Sequence, residues 1–146
     1  MAGVAVRIVP YKDAYFDGVD RLWSDCFPDD PPRNSARPSI AAKQAIGPVL
    51  GNDLILIALG ASGDVIGTVM AGYDGHRGWL YSVAVAPDHR RSGVGRSLVE
   101  EACAKLGDMG CAKVNLQIRA GNEAVVAFYR TLGFDEEPRV SMGRVL

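Results

Sequence analysis

Residues 81–101, YSVAVAPDHRRSGVGRSLVEE, constrain the fold more than any other part of the chain. Tyr81–Val85 alternates and carries β-branched Val83 and Val85, which suits a strand. Pro87 has no N–H to give to a ladder and Asp88 follows it, so the strand stops there. Gly93 and Gly95 then allow positive φ or close approach to a ligand. From Arg96 the apolar spacing becomes helical, through Leu98, Val99, Ala102 and Leu106. A glycine loop that opens a helix leaves N–H groups pointing outward at the positive end of the helix dipole, a setting that suits phosphate. Arg90, Arg91 and Arg96 add matching charge. The same residues also read as an ordinary turn with solvated arginines, because short glycine motifs are weak signals.

Around this stretch the chain reads as strands and helices in turn. Val4–Val9 is rich in Val and Ile and predicts a strand ending at Pro10. Asp13 can cap a helix running to about Cys26, with Phe16, Val19, Leu22, Trp23 and Cys26 on one face. Trp23 fits either the core or a pocket wall. Pro28–Pro38 is too rich in proline for a regular element and serves either as a functional loop or as a plain connection. Ser39 can cap a short helix through Ile46, closed by Gly47 and Pro48. Asp53–Leu59, Val65–Tyr73 and Trp79–Val85 form three successive strands joined by turns at Ala61–Asp64 and Asp74–Gly78.

The helix after the glycine loop runs from about Gly93 to Met109 and stops at Gly110. Lys113–Arg119 alternates as a strand. Asn122 caps a helix through about Leu132, closed by Gly133. Phe134 begins a short strand, and Val140–Leu146 can pair with it. The order β-α-α-β-β-β-α-β-α-β-β combines antiparallel hairpins with β-α-β crossings. It predicts an α/β (α+β) fold with a mixed, mostly antiparallel sheet of about seven strands, flanked by about four helices.

The chain has 146 residues, which suits one domain, residues 1–146, with a substantial core. It is 48% hydrophobic and 23% charged with a net charge of −1, so neither disorder nor a nucleic-acid partner is indicated. Cys26, Cys103 and Cys111 are odd in number and lack metal-type spacing, which points to a reducing, cytoplasmic setting and to no metal site. No signal-peptide pattern opens the chain, and the longest apolar run, Leu54–Leu59, is too short to span a bilayer.

Two stretches resemble a known superfamily. Arg90-Arg91-Ser92-Gly93-Val94-Gly95, with Val83-Ala84-Val85-Ala86-Pro87 before it, is similar to the acyl-CoA pyrophosphate loop of the GNAT N-acetyltransferases. Asn122 through Phe134, with Tyr129 seven residues after Asn122 and then Leu132-Gly133-Phe134, resembles that family's second motif. Gly67–Gly78 and Gly110–Lys113 further resemble a small bacterial YpeA-like subgroup of acetyltransferases.

The resemblance implies a GNAT fold and acetyl-CoA as cosubstrate. Backbone groups of Val83, Ala84 and Val85 would hold the pantetheine arm, in the manner of an added strand. The N–H groups of Arg91, Ser92, Gly93, Val94, Gly95 and Arg96, with Arg90 beside them, would hold the pyrophosphate. Asn122 would cap its helix and bond the pantetheine amide. Tyr129 would protonate the departing thiolate, and a phenol is protonated at neutral pH as a general acid must be; read without the family, it also fits a packed tyrosine with its hydroxyl on a backbone partner.

The general base stays open. Peptide-acetylating relatives carry Glu in the fifth strand, where this chain has Gln117, which cannot take a proton. Asp74, Glu123 and Tyr81 are alternatives, and His76 fits a turn role better. Asp29 and Asp30 would fall near the acceptor side, where they either favour a cationic acceptor or serve as solvated surface charge. The expected activity is acetyl transfer to a primary amine of a small molecule. Alternatives are a peptide or protein acceptor, or an acetyl-CoA-binding module without turnover. A homodimer is compatible with the family; a membrane partner is not expected.

Overall fold

The computed structural model describes residues 6–47 and 53–146. These group into two compact units, Met1–Leu116 and Gln117–Leu146. The first contains β1 (Arg7–Pro10), α1 (Phe16–Cys26), α2 (Ala36–Ile46), β2 (Ile55–Leu59), β3 (Val65–Tyr73), β4 (Gly78–Val85), α3 (Val94–Asp108) and β5 (Val114–Asn115). The strands lie in the order β1-β2-β3-β4-β5. The first three pairings are antiparallel, β2–β3 and β3–β4 through short turns and β1–β2 across α1 and α2, and β4–β5, joined through α3, is parallel. The sheet is therefore mixed and mostly antiparallel, as expected.

Strand alternation assigns the helices to opposite faces. Thr68 meets Trp23 of α1, whereas a Cβ on its neighbour Gly67 would touch Leu98 and Val94 of α3. On the first face Val19, Leu22 and Trp23 of α1 and Ala36 and Ile40 of α2 pack with Ile55, Ile57, Leu59 and Met70. On the other, α3 buries Val94, Leu98, Val99, Ala102 and Leu106. Each such leucine stabilises the fold by roughly 1.5–3 kcal/mol. β2 is buried along its whole length, which is why Leu54–Leu59 reads as an unbroken apolar run.

Several boundaries differ from the sequence reading. Val4, Ala5 and Pro48 lie outside the described residues. Asp13 opens a short 3-10 turn, Asp13–Tyr15, that leads into α1 without a side-chain cap. α2 starts at Ala36, after Ser35 and not Ser39. Pro38 is tolerated because the first turn of a helix has no intrahelical use for its N–H. A second 3-10 turn, Pro32–Asn34, breaks up the expected loop.

The second unit holds α4 (Glu123–Thr131). Asn122 caps it as expected, accepting from the Val125 N–H at 3.4 Å. Gly133 closes it at φ 88°, with the Phe134 N–H bonded to Tyr129 O at 3.1 Å. The described residues form five strands, not about seven. The expected strand at Lys113–Arg119 keeps only Val114–Asn115, and residues 134–146 join no ladder. Val140, Met142, Val145 and Leu146 are exposed, so no buried face rewards strand formation there. A side-chain bond from Gln117 Nε2 to Ser141 Oγ (2.5 Å) links the two stretches instead.

Candidate active site

The site begins with an irregularity in β4. Thr68 of β3 faces Ala84, but Met70 faces Tyr81, so Ser82 and Val83 together oppose Val69 alone. That is a β-bulge, and the ladder lapses there. Ser82 takes φ 51°, which few non-glycine residues adopt. Thr68 holds it: its hydroxyl donates to Ser82 O (2.9 Å) and accepts from Trp23 Nε1 (2.8 Å). Thr68 has no exposed surface and is the one buried polar side chain of the described core. A lone hydroxyl within the run Val65–Ala71 was the available signal for it.

Beyond the bulge β4 has an edge without a paired strand among the described residues. β5 pairs with Gly78 and Trp79 only, and among the described residues no strand covers that side of Leu80–Val85. Val83, Ala84 and Val85 therefore lie where an extended chain can add as a strand. The Val85 carbonyl is partly engaged: it accepts from Arg90 Nε (3.0 Å) and Cys26 Sγ (3.7 Å). Arg90 thus turns back onto the end of β4, although the sequence suggested it for anion binding.

The glycine loop follows at once. Arg91 and Gly93 adopt φ 62° and 87°. Ser92 Oγ donates to His89 O and stiffens the turn. The first helical bond of α3 runs from Ser97 N–H to Gly93 O (3.0 Å), leaving the N–H groups of Val94 and Gly95 ahead of the ladder. No side chain caps this end and no acidic residue occupies its first turn. Donors and dipole are both available to an anion. Arg96 bonds Glu100 at 2.9 Å, so its charge is shared along the helix.

In the second unit Tyr129 is 7% exposed, edge-on to Phe128 (5.0 Å between centroids) and to Phe134 (5.5 Å). The Leu132-Gly133-Phe134 turn thus fixes the ring of Tyr129. Two of the three base candidates, Asp74 and Tyr81, line one cavity in the first unit. Burial, then the nearby Asp74 charge, pushes the Tyr81 phenol up. The N–H groups of Arg77 and His76 hold the Asp74 carboxyl below its usual range; both donate to Asp74 Oδ1 at 2.7 Å. His76 itself lies in that exposed turn, as expected. Glu123 sits exposed at the start of α4, and Gln117 bonds Ser141. Asp30 lines a separate cavity of about 310 Å³ with Trp23 and Phe27, so Trp23 serves both core and wall. Among the described residues no three of His, Cys, Asp and Glu gather as a metal site. No helix among them is long and apolar enough to cross a membrane.

Comparison with known proteins gives a consistent picture. An acetyltransferase of Sodalis glossinidius is 36% identical over 137 residues, 92% of this chain and 89% of the relative. A Yersinia pestis relative named as an uncharacterised N-acetyltransferase is 34% identical, covering 97% of this chain and 94% of its own. Among solved structures, an aminoglycoside N-acetyltransferase in complex with CoA superposes with TM-score 0.76 at 21% identity, over 99% of this chain and 97% of that one. Ard1 from Thermoplasma volcanium gives TM-score 0.76 at 21% identity, over 90% and 84%. Residues 16–134 match the description acetyltransferase (GNAT) family. The motifs, the sheet order and these matches agree, and the chain is an acyltransferase belonging to the acetyltransferase (GNAT) family.

Proposed function

We propose that this chain, as a single acetyltransferase domain, moves an acetyl group from acetyl-CoA to a primary amine of a small molecule. One observation supports the reading: a β4 edge that no described strand pairs with runs directly into a helix N-terminus without a side-chain cap. An extended arm ending in a pyrophosphate needs those two features in that order. Backbone N–H and C=O groups of Val83, Ala84 and Val85 bond the arm. The N–H groups of Arg91 to Arg96 take the pyrophosphate, and Asn122 bonds the pantetheine amide while capping α4. Arg90 and the other arginines are secondary to the backbone.

The chemistry is direct attack. The neutral amine forms the new N–C bond and the C–S bond breaks. Backbone N–H groups near the bulge polarise the carbonyl, as an oxyanion hole does. Tyr129 gives its proton to the departing sulfur, and the amine loses one to water or to a group on the acceptor side. The test is thiol release from acetyl-CoA with a panel of small amines and peptides, followed by mass spectrometry of the product. Acceptor-dependent release with a small amine supports the reading. Release only with peptides moves the acceptor class, and binding without release leaves a non-catalytic module.

A further inference from the structure

The residue before the bulge, Tyr81, opens a cavity of about 340 Å³ behind β3 and β4, beside α2. That volume falls in the range of small-ligand sites, roughly 300–1,000 Å³. Its walls are apolar and aromatic: Leu54, Met109, Trp79 and Tyr81, with the last two rings 6.5 Å apart and 22° from parallel. Into it α2 places one cation, Lys43. The floor is Gly72, where a Cβ would sit 3.7 Å from Lys43 Nζ and 4.0 Å from the Tyr81 ring. Ammonium and ring thus flank the same point, and the glycine keeps the space between them open.

Lys43 is partly buried and, among the described residues, has no hydrogen-bond or ion-pair partner. Burial pushes its ammonium down from the ordinary lysine value. Asp74, the carboxylate on the cavity rim, does not pair with it; its Oδ1 is held by the backbone of its own turn. A half-buried charge that no described residue pairs with is costly, and an anionic ligand would offset that cost.

The position matters as much as the chemistry. An arm running from the glycine loop back along β4 would pass Val85 and Val83 and reach the bulge, and Tyr81, one residue further on, lines the cavity. We propose that this cavity holds the acceptor, an amine that also carries an anionic group on an apolar or aromatic body, with Lys43 binding the anion. The assignment of the cavity to the acceptor rests on the acetyl-transfer reading; the assignment of Lys43 to an anion does not.

Calorimetric titration separates the two. Phenylacetate, phenyl phosphate and neutral phenylacetamide are titrated into the full chain and into Lys43→Met, with acetyl-CoA binding as the control for folding. One of the anions binds the unmodified chain roughly tenfold or more tighter than the amide, and Lys43→Met abolishes that preference. Which anion wins identifies the group as carboxylate or phosphate. Equal binding of acid and amide, no binding of either anion, or a preference surviving in Lys43→Met overturns the proposal. Turnover with phenylalanine and with phenethylamine is measured alongside. If both amines are acetylated equally well, the anion proposal fails and acetyl transfer stands. If neither is acetylated while an anion binds through Lys43, the anion site stands and its assignment to the acceptor fails.

Discussion

Replacing Thr68 by valine tests whether the bulge in β4 is held by its hydroxyl. Valine keeps the shape of threonine, so no cavity forms. What is lost is one acceptor for the Trp23 indole N–H at 2.8 Å and one donor to the Ser82 carbonyl at 2.9 Å. Trp23 is 3% exposed, so water cannot replace the first bond. An unsatisfied buried polar group costs about 1–3 kcal/mol. The Ser82 carbonyl is only partly buried and recovers part of its loss from solvent. The expected destabilisation is roughly 2–4 kcal/mol, which lowers Tm by roughly 5–15 °C for a chain of this length. Thr68→Ser keeps the hydroxyl and loses one methyl, about 1 kcal/mol. Urea and thermal unfolding of both variants give the numbers, and kcat/KM for acetyl transfer follows the bulge. Activity falls at least about tenfold in the valine variant and is retained in the serine one. A valine variant within about 0.5 kcal/mol of the parent, with unchanged kcat/KM, refutes the reasoning.

Four further outcomes are expected. Gly93→Ala forces a side chain into φ 87° and costs about 1–2 kcal/mol, while the KM for acetyl-CoA rises; Gly93→Asn, which tolerates that conformation better, shows a smaller effect in the same steady-state assay. Tyr129→Phe lowers kcat by roughly 10²–10⁴-fold with little change in acetyl-CoA affinity, and stopped-time thiol assays with equilibrium binding decide it. Arg96→Ala loses an exposed ion pair with Glu100 and changes stability by less than about 0.5 kcal/mol in chemical denaturation. Burial above all, then the Asp13 charge and hydrogen bond, pushes the Tyr11 phenol up to about 12. An acid whose folded pKa is raised contributes stability that is full below its unfolded value near 10 and is lost as pH rises towards 12. Tyr11→Phe therefore loses less stability than the parent between those pH values, as urea midpoints at each pH would show.

How far the sequence reveals this molecule depends on how local each cause is. Gly93 and Gly133 announce helix ends because φ near +88° is a local demand that glycine meets most cheaply. Asn122 announces a cap for the same reason: the bond reaches only to Val125. Val83 and Val85 read as a strand, but the bulge between Tyr81 and Ala84 leaves no local mark. It depends on Thr68, fourteen residues earlier, and on Trp23, further away still. The residue pattern at Lys113–Arg119 alternates well, yet only Val114 and Asn115 pair, because a ladder needs a neighbour as well as a pattern. The same holds for Val140–Leu146. Pro38 reads as a barrier and so places a cap at Ser39, but a proline in the first helical turn, where the N–H has no intrahelical partner, does not stop a helix. Lys43 carries no motif; only the cavity around it singles it out. Arg90 belongs to a recognisable loop, but its contact with the Val85 carbonyl could be seen only in three dimensions.

The central claim is that acetyl-CoA lies along β4 and ends on the loop before α3. Titration of isotopically labelled protein with acetyl-CoA, followed by amide NMR, addresses it residue by residue. The account predicts that the largest shifts fall on the amides of Val83 to Val85 and of Arg91 to Arg96, with Gly93→Ala weakening them together. Shifts centred elsewhere, with those two segments unmoved at saturation, would contradict it.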